Sequence, residues 1–127
     1  MKTTSEERMA VATEIWNQIL AGVGIWTVMS WGTRKKIATE YNGKPALKIR
    51  VSGLIHKGWV VIALDYGMDA YEIDLLTVAG EVKKHVEEVY CDNLGWVIDR
   101  EVERGEMPKS EYMRKALADS ERKMSSL

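Results

Sequence analysis

Hydrophobic and polar positions change period twice along the chain, and each stretch predicts a class of element. From Thr4 to Ala21 the apolar positions Val11/Ala12, Ile15/Trp16 and Ile19/Leu20 recur at helical spacing. Thr4-Ser5-Glu6-Glu7 reads as a capping box, with Thr4 at the N-cap and Glu7 reaching back. Gly22 and Gly24 are expected to stop this helix.

Residues 25–78 read as β-structure. Ile25 to Trp31 is a β-rich run, and Ile37, Thr39 and Tyr41 alternate with Lys36, Ala38 and Glu40. Asn42-Gly43 is a hairpin turn signal. Leu47, Ile49 and Val51 alternate with Lys48, Arg50 and Ser52, which predicts one buried and one wet face. Trp59 to Leu64 is apolar throughout and fits a central strand, and Tyr71, Ile73 and Leu75 alternate with Glu72 and Asp74. From Gly80 the helical period returns, with Val82, Val86, Val89/Tyr90, Leu94, Val97/Ile98 and Val102 in one stripe. This predicts one long helix ending near Arg104-Gly105, bent near Gly95. A last helix is expected from Pro108, with Met113, Leu117 and Met124 on one side.

The expected architecture is an α+β domain over residues 1–127, with residues 1–3 and 125–127 frayed. An N-terminal helix is followed by a four- to five-stranded antiparallel meander, then a long helix and a C-terminal helix. Short connections favour the meander. Helices that bury one stripe should lie mainly on one sheet face, leaving the other open.

Composition narrows the class. At 127 residues, with 46% hydrophobic and 29% charged residues, one ordinary domain is expected. The single cysteine, Cys91, forms no internal disulfide, which favours a reducing compartment. The polar N-terminus shows no signal peptide and no run is long enough to span a bilayer, so a cytoplasmic protein without membrane contact is expected. Net charge is only −1. Residues 25–60, however, carry seven basic residues and one acid, whereas residues 61–106 carry four basic residues and twelve acids.

Candidate chemistry is sparse. His85, Glu88 and Asp92 would share one face of the long helix, a spacing that can seat a metal. They lack a convergent partner, and a solvated acidic face is the better reading, so no metal or cofactor is expected. Cys91 reads as a small packed hydrophobe and His56 as a loop residue. Asp65, Asp69, Glu72 and Asp74 do not follow a calcium-loop pattern, and Asp69 is expected to stabilise its own turn. No phosphate loop, dinucleotide fingerprint or nucleophile elbow occurs. The residues therefore name no catalytic set.

The candidate binding surfaces are two. One is basic: Arg34, Lys35, Lys36, Lys48 and Arg50, on or before the wet strand face. The other is the acidic strand-turn of Asp69, Glu72 and Asp74. The basic residues could meet phosphates, or simply solubilise the sheet and pair with the acids of residues 65–74. Of the five tryptophans, Trp16 and Trp96 are expected on helix faces packed against the sheet, and any exposed one is a candidate interface anchor.

Three segments carry a resemblance: Ile25-Trp26-Thr27-Val28-Met29-Ser30-Trp31, the strand-turn-strand over 62–74 with its Met68-Asp69-Ala70-Tyr71, and Val89-Tyr90-Cys91-Asp92-Asn93-Leu94. Together they resemble small uncharacterised proteins of phages and mobile elements. Those share a first strand with a Met near its end, a Met-Asp-x-Tyr motif, and a helix with a Val-Tyr-x-Asp-x-Leu pattern. The likeness covers about residues 25–94. It implies no activity and transfers no functional residue. It does imply an accessory protein that acts by binding a host or phage protein, and could inhibit it. The resulting expectation is a non-catalytic protein-interaction module, able to form a homodimer through the long helix or a sheet edge. The alternative is a nucleic-acid-binding module using the basic face.

Overall fold

The structure is a computed structural model that describes residues 3–105 and 109–125. Its order is α1 (Ser5–Ser30), β1 (Lys35–Tyr41), β2 (Lys44–Ser52), β3 (Lys57–Asp65), β4 (Ala70–Leu76), β5 (Val82–Val89), α2 (Leu94–Asp99), a π turn (Arg100–Arg104) and α3 (Lys109–Ser125). The five strands form one antiparallel sheet in sequence order, with β3 in the centre. The α+β class and the meander are therefore as expected.

The capping box at Thr4 forms in both directions. Thr3, expected to fray, instead donates its backbone N–H and its hydroxyl to Glu40 on β1. Ser125, also expected to fray, instead closes α3. The remaining residues expected to fray, 1–2 and 126–127, lie outside the described residues, as do Pro108 and the side chain of Met124.

Two expectations fail. Ile25–Ser30 is helical with Trp31 as its C-cap: Gly24, at φ 83°, breaks α1, and the helix then resumes instead of giving way to a strand. Val28 and Trp31, three positions apart, turn inward and are buried, while Ile25, Trp26 and Met29 face out. Burial of that pair, together with the Trp31 indole N–H donating to Asp99 (2.8 Å), overrides the β propensity of the run.

The long helix from Gly80 is absent. Its first part is β5, paired to β4 through two irregularities. Between the pairs Tyr71↔Val89 and Ile73↔Val86, β5 spends three residues where β4 spends two, and Glu88 sits there at φ 56°. A second shift separates Leu75↔Lys84 from Leu76↔Val82. Such bulges break the alternation of a strand. They space Val82, Val86 and Val89 at intervals of four and three, which imitates a helix.

The main core lies between α1, α2 and one sheet face. It joins Ile15, Ile19, Val28 and Trp31 to Leu47, Ile49, Val51, Val60, Ile62 and Ile73, and to Leu94, Ile98 and Val102. Gly95 lies where α2 meets α1, beside Ile19 and Val23. The π turn frees the Val102 carbonyl, which accepts from both Ile55 (2.9 Å) and His56 (3.1 Å). Trp96 does not pack on the sheet; it is exposed, with Arg100 over its ring. On α3, Met113 and Leu117 are exposed, so the apolar side expected of that helix is not a buried one. Cys91 is also exposed rather than packed.

Candidate functional site

The sheet face turned away from α1 and α2 is where the charged candidates meet. Cross-strand partners share a face. One rung runs Lys35–Arg50–Trp59–Leu76, the next Ile37–Lys48–Val61–Asp74–His85, and a third Thr39–Ala46–Ala63–Glu72. Ala46, Val61, Ala63 and Leu76 form a small buried floor, with Tyr41 and Trp59 packed against it. The face is therefore not simply wet: long polar side chains lie over an apolar base.

Its acidic half is neutralised from within. Lys44 reaches Glu72 at 2.8 Å and Asp65 at 3.8 Å. Tyr41 donates its hydroxyl to Asp74 (2.5 Å), and burial first, then that bond, pushes the phenol up to about 12. His85 contacts Asp74 through Nδ1 and Glu87 through Nε2 (3.0 Å). The Asp74 hydrogen bond foremost, aided by Glu87 and opposed by partial burial, raises the His85 pKa above its ordinary value. Asp74 is itself buried. Asp69, by contrast, is exposed in its turn at φ 49°, and the carboxylate that holds the turn belongs to Asp65, which accepts from Gly67 (2.9 Å) and Met68 (3.2 Å). The acidic candidates Asp69, Glu72 and Asp74 are thus not one binding surface.

The metal set read from the sequence dissolves with the long helix. His85 is on β5, Glu88 is in its bulge and Asp92 is in the following turn. Glu72, His85 and Glu87 do bring ligand atoms within 4.8 Å of one another. Lys44 and the imidazole already supply the opposing charge there, so the cluster reads as an ion-pair network.

The basic half is different. Lys48 and Arg50 lie on the open face as expected, with Lys35 beside Arg50. Lys36 does not join them. It pairs with Ile49 on the helix-covered face and sets its ammonium 4.4 Å from the Trp16 ring, at the edge of a 250 Å³ cleft between α1 and β1. Arg34 anchors its backbone N–H on the Arg50 carbonyl (3.0 Å). With Arg50, Lys57, Val51, Ser52 and Val78 it lines a cleft of about 220 Å³. Lys57 was missing from the sequence-derived set. Its signal was its place at the start of β3, opposite Ser52.

Among the described residues, none lining this cleft is acidic and no carboxylate pairs with Arg34, Lys48, Arg50 or Lys57. Among the described residues, none of the basic residues expected to pair with the acids of residues 65–74 does so; Lys44, outside that set, does. Lys48 and Arg50 instead share the Trp59 ring, at 4.5 and 5.4 Å from its centroid. Each such contact is worth about 0.5–1 kcal/mol at an exposed site. A planar group that stacks with about 1–3 kcal/mol can displace them.

A third surface is helical where the sequence predicts a strand. On the second half of α1, Ile25 (50%), Trp26 (79%) and Met29 (60%) are exposed. No charged residue occurs between Glu14 and Arg34. Tyr112 brings α3 against Ser30 at the end of this surface.

Compared with protein-family models, curated proteins and solved structures, the chain matches none. Among the described residues, no helix is long and apolar enough to cross a membrane.

Proposed function

We propose that the protein is a non-catalytic interaction module that engages a protein partner through the second half of α1. The observation that carries this reading is the outward-facing group Ile25, Trp26 and Met29 on a stretch without charge. Interface centres are depleted in charge and enriched in aromatics and methionine, and tryptophan is a favoured anchor. What supports the non-catalytic side is that both histidines are committed to structural contacts, His56 inside the β2–β3 connection and His85 within its carboxylate pair. The resemblance to phage and mobile-element proteins supports an accessory role in the cytoplasm, with inhibition of a host protein as one form of it.

The test is affinity capture from cells that carry the gene, comparing the natural chain with Trp26→Glu/Met29→Glu. Loss of a specific partner at an unchanged thermal midpoint is the expected result. Equal capture by both chains would refute the assignment to this surface.

A further inference from the structure

We propose that the cleft lined by Arg34 just before β1, the end of β2, Lys57 on β3 and Val78 after β4 is a phosphate-binding site for single-stranded nucleic acid, with the neighbouring Trp59 ring as its stacking platform. This surface is separate from the apolar half of α1. Arg34, Arg50 and Lys57 converge on a 220 Å³ cleft whose described lining holds no acid, and the Ser52 residue lies among them. Guanidinium forks match the oxygens of a phosphate in pairs, where a lone ammonium offers a point charge. Trp59 is the direct neighbour of Arg50 in the sheet. Trp59 is half-buried on the apolar floor with Lys48 and Arg50 over its ring, so a base that stacks there takes the place of those cations and turns them toward the phosphates.

The net charge of −1 does not cancel this site. Strands are spaced about 4.8 Å apart, so β4 and β5 lie about 10 and 14 Å from β2. That is at or beyond the screening length of about 10 Å at 0.1 M salt. Glu72, Asp74 and Glu87 on those strands are, in addition, already paired with Lys44 and His85. An acidic protein segment offers carboxylates for the cations but no planar base to take their place over the indole, which is why nucleic acid is the assignment.

The experiment is fluorescence anisotropy of a labelled oligothymidylate titrated with the full chain at several salt concentrations, with polyglutamate as competitor. Binding should weaken steeply as salt rises. Arg34→Glu/Arg50→Glu should weaken it at least about tenfold and flatten the salt slope by about 1.4, close to 0.7 for each lost phosphate contact. Trp59→Leu should weaken binding while leaving that slope in place, because stacking releases no counterions. If the double variant fails to fold, Lys57→Gln serves instead, with a slope change of about half that size. No binding of the natural chain at 50 mM salt, or equal displacement by polyglutamate, would overturn the proposal.

Discussion

His56 and His85 show how one residue type is set to opposite tasks by its surroundings. His56 is buried; its Nε2–H donates to the Trp59 carbonyl (3.0 Å), and Nδ1 accepts from Lys83 (3.2 Å). Burial foremost, with the Lys83 charge adding and the Trp59 bond opposing, lowers its pKa. The unfolded chain then takes up this proton more readily than the native one, so stability falls as pH drops below about 6.5. His85, with its raised pKa, works the other way. Its contribution is complete below about 6.5 and fades as pH rises through the folded-state value. His85→Ala should therefore cost more thermal stability at pH 5.5 than at pH 9, measured by melting both proteins across that range. An equal loss at both ends would contradict the charged pair with Asp74. For His56→Gln, the expected sign is a melting point less sensitive to acid than that of the natural chain.

At the level of elements, the β2–β3 connection and the π turn are built as a unit. A Cβ placed on Gly53 would lie 2.3 Å from the Val102 carbonyl oxygen and 2.6 Å from its side chain. That carbonyl also receives the Ile55 and His56 amides, and Glu103 accepts from the Leu54 amide at 2.8 Å. The neighbour is backbone, so it cannot move aside cheaply. Gly53→Ala is expected to cost at least about 1–3 kcal/mol, the range for forced overpacking, read by urea denaturation. A loss below about 0.5 kcal/mol would show that the loop slides off the π turn. Two other elements mislead a reading of the sequence. The bulges in β5 disguise a strand as a helix, and Gly24 has the look of a stop where the helix only breaks. By contrast, Asn42-Gly43 and the alternation of Leu47, Ile49 and Val51 identified β1, the turn and β2 correctly, because those signals depend on local backbone geometry alone.

For the whole molecule, the sheet leaves two edges, β1 and β5. Both carry lysines (Lys35 and Lys36; Lys83 and Lys84), and β5 is bulged as well. Charges and bulges of this kind block edge-to-edge pairing. The long helix that was to offer a two-fold surface is absent. Sedimentation of the isolated chain should accordingly find a 14.4 kDa species. Concentration-dependent growth abolished by Trp26→Glu would instead make a second copy the partner of α1.

The sequence by itself determined the class, the helical start, four of the five strands and their order, and the presence of a basic segment followed by an acidic one. Periodicity, turn chemistry and charge are local quantities, so they can be read without the fold. Only the tertiary structure decided which charges act together. Cross-strand register put Lys44, Tyr41 and His85 onto the acids, left Arg34, Arg50 and Lys57 around a cleft, and sent Lys36 to the opposite face. It also turned Trp26 outward and Trp31 inward on one helix. Pairing and burial join residues distant in the chain, and no spacing along the sequence encodes them.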